Sequence, residues 1–340
     1  MSSHVKGSNM HHCQLGRTGL WISEFGMGCG NFGGIGSAPA FFGQGENEEE
    51  AFRLLDQAVE LGINYLDTAD AYGGGRSETM IGKWLATRDG PTRDQLLISS
   101  KVANPVGPGP NDQGLSRRHV LRQIDASLGR LGVDHLDMYL AHEIDPRTPL
   151  EETVAVFDEV VRAGKVRYIG ISNHAAWQVT KALWTSDREG LARFEWVQNS
   201  FNLLDRAAQA ETLALCRDQG LGYTPFSPLS GGWLTGKYTR DSQFPEGSRM
   251  TLRPEPYRAL QTEATFVAIE RLGVMAADHG VSTAGLALAW LRHHPQVTSS
   301  IVGPRKASHF DAVIEAIELD LDEADWHAVG ELFAPGEDQT

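Results

Sequence analysis

The chain has 340 residues, 41% hydrophobic and 8% aromatic, and its 44 acidic against 30 basic residues give a formal charge of −14. That length and composition allow a large core, in one α/β barrel or in two ordinary domains. The acidic balance argues against nucleic acid or anionic lipid as a partner, since both recruit basic surfaces. Cys13, Cys29 and Cys216 are odd in number, widely spaced and without metal-type pairing. They read as reduced thiols of a cytoplasmic protein. No apolar run approaches the ~18 residues of a membrane span, so no membrane is expected as a partner. Met1 to His12 is polar throughout and reads as a disordered tail or cloning remnant, leaving 13–340 as the folded unit.

Strand and helix signals alternate along the chain. Phe25 to Cys29 is a candidate first strand, followed by a Gly-rich loop from Gly30 to Gly45. Glu48 to Leu61 carries apolar residues at helical spacing and stops at Gly62, a favoured C-terminal residue. Ile63 to Thr68 is a second strand and Glu78 to Ala86 a helix. Leu96 to Val102 is a third strand, and the Pro- and Gly-rich stretch Asn104 to Gly114 a loop. Ser116 caps a helix running to Leu131. The fourth strand is His135 to Ala141, with Leu150 to Ala163 as its helix; the fifth is Val166 to Ser172, with a helix from Ala175 to Trp184. Trp196 to Ser200 is the sixth strand and Ala207 to Asp218 a helix. Gly222 to Ser227 is the seventh, and Pro228 to Pro256 a long loop of little periodicity. Helices over Glu263 to His279 and Thr283 to His293 precede an eighth strand, Ser299 to Val302. Ala307 to Ile317 and Glu323 to Leu332 close the chain as helices. Eight strands alternating with helices predict a single parallel (β/α)₈ barrel with long loops on its C-terminal rim. A doubly wound sheet fits less well, because Gly26 to Gly33 leads into a loop rather than a helix.

Polar groups stand at or just beyond several strand ends: Asp67 at the end of the second, Lys101 at the end of the third, His142 at the end of the fourth, and Tyr72 in the loop behind Asp67. In a barrel these ends share the rim where active sites are built. Asp67 and Lys101 would form a buried pair, and the ammonium would favour ionisation of Tyr72, bringing its pKa down from ~10. Such a phenol can protonate a carbonyl oxygen, and a neutral His142 can hydrogen-bond the same oxygen. None of these supplies a hydride, so a cofactor must. Ser172 and Asn173 at the end of strand five, with Gln198 on strand six, could grip an amide, and Phe226 after strand seven could stack on a flat ring. Gly303-Pro304-Arg305-Lys306 after strand eight, with Lys237 and Arg249 in the long loop, could hold phosphate. Phe32, Phe41, Phe42 and Trp233 are candidates for an apolar substrate wall, and the partner expected is an aromatic or apolar carbonyl or alcohol.

With these residues in view the chain resembles an aldo-keto reductase, nearest to the branch with aryl-alcohol dehydrogenase-like enzymes and potassium-channel β subunits. The likeness covers about Gln14 to Leu332. It rests on Leu15 to Leu20, Asn64 to Glu78, Ser99-Ser100-Lys101, Tyr139 to His142, Gly164 to Asn173, Phe226 to Leu229, and Leu234 to Tyr238. The resemblance implies NADPH as cofactor, with NADH as the alternative, and a catalytic tetrad of Asp67, Tyr72, Lys101 and His142 with Tyr72 as proton donor. It implies that Ser172, Asn173 and Gln198 hold the nicotinamide amide and that Phe226 stacks on its ring. Ser227, Leu229, Lys237 and Arg249 would line the pyrophosphate, and Gly303 and Arg305 would lie near the adenosine 2′-phosphate. Gly28, Cys29, Asp67, Gly231, Lys306 and His309 are further cofactor-binding positions. One departure stands out. Where the family commonly carries Glu-Gln-x-x-Glu-Asn, this chain has Ser308-His309-Phe310-Asp311-Ala312-Val313, so the adenine contacts are missing or replaced. Two activities fit: reversible NADPH-dependent reduction of aldehydes or ketones, and a cofactor-sensing regulatory subunit with little turnover.

Overall fold

The structure is a computed structural model that describes residues 10–240 and 242–334. Two three-residue strands, β1 (His12–Gln14) and β2 (Trp21–Ser23), pair as an antiparallel hairpin. Eight parallel strands follow: β3 (Phe25–Gly28), β4 (Tyr65–Asp67), β5 (Leu97–Val102), β6 (Leu136–Ala141), β7 (Val166–Ser172), β8 (Phe194–Gln198), β9 (Gly222–Tyr223) and β10 (Ser300–Val302). They run in the order β10-β3-β4-β5-β6-β7-β8-β9. Backbone bonds from Thr298 N–H to the Tyr223 carbonyl and from Ile301 N–H to the Pro225 carbonyl, both 2.8 Å, join the two ends. The ring therefore closes as the expected (β/α)₈ barrel.

The core divides in two. A large outer layer packs the helices onto the strands, with Trp84, Phe157 and Trp290 fully buried in it. A smaller inner cluster fills the barrel with Tyr65, Met138, Leu140, Trp196 and Ile301. Leu15, Leu20 and Ile22 of the hairpin belong to this inner cluster and close the N-terminal mouth. Strand glycines make room for the large rings: a Cβ on Gly170 would lie 2.5 Å from the Trp196 indole, and one on Gly26 would lie 2.6 Å from the Tyr65 ring. Half-exposed Phe226 tops the cluster at the other end.

Several boundaries depart from the sequence reading. The sixth strand lies two residues earlier than expected, because Phe194 and Trp196 pair with β7 while Asn202 builds a turn through bonds to the backbone of Leu204 and Asp205. The seventh shrinks to two residues, since Pro225 has no N–H to give the ladder and Ser227 turns away at φ +56°. The helix expected to stop at Trp184 continues to Glu189, where Gly190 ends it in the left-handed conformation. The helix expected over Ala207 to Asp218 is broken at Glu211 into a 3₁₀ turn and Thr212–Gln219. The long loop holds short turns of helix at Ser230–Thr235, Arg249–Leu252 and Glu255–Leu260. Of the expected tail over 1–12, residues 1–9 lie outside the described part; Met10 packs into the outer core and His12 opens β1.

Candidate active site

Parallel strands deliver all their C-terminal ends to one rim. Side chains on a strand point inward at every second residue, so Tyr65 and Asp67 on β4, and Ser99 and Lys101 on β5, face the same space. Asp67 is the hub. Its Oδ2 accepts from Lys101 Nζ at 2.5 Å, and its Oδ1 accepts from Ser99 Oγ at 2.7 Å, Gln198 Nε2 at 3.0 Å and Tyr65 OH at 3.2 Å. Lys101 is 0% exposed and also donates to the Thr68 carbonyl at 2.9 Å. Burial pulls its pKa down, but Asp67 and Tyr72 together push it up by more, so it is a cation at neutral pH.

Tyr72 lies beside this pair, with Lys101 Nζ 5.0 Å from its ring centroid. Its hydroxyl is 3.4 Å from His142 Nε2, and the two rings meet edge to face at 79°. The sequence reading expected the ammonium to lower the phenol's pKa. The structure reverses the net sign: burial raises it and outweighs the lowering by Lys101. Tyr72 is thus a neutral phenol carrying its proton at neutral pH. Burial first, and Lys101 second, hold His142 well below the usual imidazole range, so it too is neutral.

Next to this group lie Ser172 and Gln198, the last register pair across β7 and β8, and Asn173 just beyond β7. Asn173 is held at φ +57°, a conformation that side-chain-bearing residues adopt at a cost and that concentrates at functional positions. Its amide nitrogen donates to the His142 carbonyl and to Glu143 Oε1, both at 2.9 Å, which leaves its Oδ1 for another donor. Gln198 spends its nitrogen on Asp67, leaving Oε1. Two amide acceptors and the Ser172 hydroxyl as donor complement a primary carboxamide.

A second cluster gathers Lys237, Arg249, Arg305, Lys306 and His309. The Lys237 ammonium is held below its usual range by burial and by the neighbouring Arg249, Arg305 and Lys306. Arg249 bonds Asn31 through one nitrogen, while its Nη1 is buried without a partner among the described residues. Mutually repelling cations around an unpaired guanidinium nitrogen are satisfied by a polyanion such as a pyrophosphate. Arg305 donates to Glu46 Oε1 at 2.6 Å and to the Gly247 carbonyl at 3.0 Å. His309 Nδ1 accepts from the Arg305 N–H at 3.1 Å, and Gly303 is exposed. The residues present therefore fit a dinucleotide: amide cradle at one end, cationic cluster at the other.

Other expected positions have packing reasons of their own. A Cβ on Gly28 would lie 2.9 Å from Ile301, and one on Gly231 would lie 2.4 Å from the Tyr257 ring. Cys29 is fully buried, its thiol pKa pushed well up by burial. Ser227 is at φ +56° with its carbonyl accepting from Asn202 at 3.0 Å, and Leu229 packs on the outer core. Two members of the expected apolar wall are core residues. Phe32 is buried, and Trp233 is enclosed by Tyr238, Phe244 and Phe266. Phe41 and Phe42 are half-exposed in the first rim loop, Phe42 over Gly74 and the Arg76 guanidinium.

Sequence reasoning missed Tyr65, Ser99, Asn104 and Glu46. Tyr65 and Ser99 were findable by strand alternation, each two residues before a singled-out group. No periodic signal marks Asn104 or Glu46, because both are loop residues whose partners are remote in sequence.

Comparison with known proteins identifies the family. The aldo/keto reductase family model matches residues 26–333. An uncharacterized oxidoreductase of Bacillus subtilis, YrpG, is 36% identical over 96% of this chain and 97% of its own length. A probable voltage-gated potassium channel subunit beta of rice is 35% identical, covering 91% and 92%. The L-glyceraldehyde 3-phosphate reductase of Escherichia coli K12 is 32% identical, covering 91% and 88%. The chain belongs to the aldo/keto reductase family and is an NAD(P)-dependent oxidoreductase.

Proposed function

We propose that this protein reduces aldehydes or ketones to alcohols with NADPH, reversibly, and that Tyr72 delivers the proton. The observation that carries the reading is the neutral Tyr72 hydroxyl 3.4 Å from a neutral His142 Nε2, with the Lys101–Asp67 pair behind it. A bound nicotinamide supplies the hydride. Ser172, Asn173 and Gln198 would hold its carboxamide, and Phe226 its ring. Lys237, Arg249, Arg305, Lys306 and His309 would hold the phosphates, with Gly28, Cys29, Ser227, Leu229, Gly231 and Gly303 as the surrounding surface. A carbonyl oxygen between Tyr72 and His142 receives hydrogen bonds from both, and takes the phenolic proton as charge builds on it. Lys101 then faces the new phenolate and stabilises it. The half-exposed Phe41 and Phe42 would favour apolar or aromatic carbonyls over charged ones. A panel led by keto acids or anionic sugars would refute that preference.

Tyr72→Phe keeps the ring and removes the proton. Turnover of 4-nitrobenzaldehyde with NADPH should fall by about 10²–10⁴ while the NADPH dissociation constant stays nearly unchanged. A variant turning over at the wild-type rate would place the proton source elsewhere. A second reading, a cofactor-sensing subunit, is favoured by the likeness to the rice channel β subunit. Tight NADPH binding by the wild type with no turnover across a broad carbonyl panel would support that reading instead.

A further inference from the structure

Histidine can serve a carbonyl oxygen only if the nitrogen facing it carries the hydrogen. A neutral imidazole has one N–H to place, and which nitrogen holds it is set by the partner of the other. In this molecule that partner is Asn104, a residue outside the tetrad. Asn104 stands two residues past the end of β5, at the neck of a rim loop pinned by the Gly114 N–H to the Ala103 carbonyl at 2.7 Å. His142 donates its own N–H to the Val102 carbonyl at 2.9 Å, so the two side chains stand on neighbouring strands, one step beyond the ladder. Asn104 Nδ2 is 3.0 Å from His142 Nδ1. An amide nitrogen only donates, so with the amide in this orientation Nδ1 presents its lone pair.

We propose that Asn104 is a positioning residue that locks His142 as the Nε2–H tautomer. This inference rests on the carbonyl-reductase reading of the site. The consequence falls on Tyr72. With hydrogen on Nε2, His142 donates toward the phenol oxygen 3.4 Å away and leaves the phenol's own hydrogen free for the substrate. With hydrogen on Nδ1, Nε2 would accept the phenolic hydrogen bond, and imidazole and substrate would compete for the same proton. The choice of amide over carboxylate follows. An aspartate at 104 could only accept from Nδ1, forcing the unproductive tautomer, and its charge would favour imidazolium. The Asn173 bond to the His142 carbonyl at 2.9 Å fixes the backbone but does not touch the ring, so it cannot set the tautomer.

The test is a long-range ¹H–¹⁵N spectrum of the full chain labelled with ¹⁵N-histidine at pH 7.5, without substrate. His142 is assigned by difference against His142→Gln among the 12 histidines. The wild type should show an unprotonated, pyridine-type Nδ1 and a protonated Nε2. Asn104→Asp should move the hydrogen to Nδ1, and Asn104→Leu should leave a mixture. In the same variants kcat for carbonyl reduction should drop, by about 10–100-fold for Asn104→Asp, the scale of losing a partner that orients a histidine. NADPH affinity should hold. A wild-type spectrum with Nδ1–H would overturn the proposal without any variant, as would wild-type patterns in both Asn104 variants. Because the spectrum is read on resting protein, a lock found in a chain that reduces nothing would sink the reductase reading and leave the tautomer assignment standing.

Discussion

Tyr72 is where the chemistry of single residues is sharpest. Burial raises its pKa and Lys101 lowers it, and burial wins. A raised pKa extends the protonated form upward in pH, so reduction should be flat through neutrality and decline only in the alkaline range. Alcohol oxidation needs the phenolate and should climb over that same range. Lys101→Met removes the one large opposing influence, so both limbs should shift to higher pH. It should also leave Asp67, 4% exposed, as a charge without its partner, at about 3–5 kcal/mol of stability. Paired pH–rate profiles and denaturant titrations of wild type and variant check both points. Unshifted limbs would mean the ammonium does not reach the phenol electrostatically.

Among the elements, the hairpin β1–β2 does most for its size. Gly16 in its turn sits at φ +54°, and a Cβ there would lie 2.5 Å from the Gly222 backbone nitrogen and 2.6 Å from the Gly220 carbonyl oxygen. Backbone cannot move aside as a side chain can. Gly16→Ala should therefore cost about 2–4 kcal/mol, the sum of left-handed strain and overpacking. The melting temperature should drop while the rate per folded molecule holds, since the rim is at the opposite end. Nothing in the sequence announced this hairpin. Its strands are three residues each, too short for alternation to register. The barrel strands were legible because burial on both faces makes them continuous apolar runs bounded by glycine or polar residues. Where local signals misled, tertiary pairing had decided the two-residue offset of β8, whereas β9 ends early for the local reasons of Pro225 and the left-handed Ser227. Asp67, Lys101 and His142 could be singled out because a polar residue at a strand end is conspicuous, and Tyr72 by its place in the loop directly behind Asp67. The sign of the Tyr72 shift could not be read, because it depends on how completely the ring is enclosed.

At the scale of the whole molecule, buried histidines tie stability to pH. His119, His142, His174 and His294 all have pKa values held below the ordinary 6.5, with burial the largest cause. For a group whose folded pKa is lowered, stability is full above the unfolded pKa and is lost as pH falls toward the folded one. Glu46, Asp70, Asp137 and Glu143 are shifted upward and act in the opposite sense, so a single-residue comparison is the clean test. His294, packed among Phe201, Trp290 and Trp326, is lowered to about 4 by burial and by Arg206. Between pH 7.5 and 5 it should account for ~2 kcal/mol, or about 3 °C of melting temperature in a chain this long. His294→Gln should flatten the acid slope of the melting temperature by that amount, and an unchanged slope would mean the ring is charged in the fold. A last consequence belongs to the stopper that Leu15, Leu20 and Ile22 form in the N-terminal mouth. Among the described residues, that plug fills the barrel's far end. If the proposed nicotinamide seats against Phe226, the dinucleotide should arrive first and depart last, and product-inhibition patterns that fit random release would contradict that order.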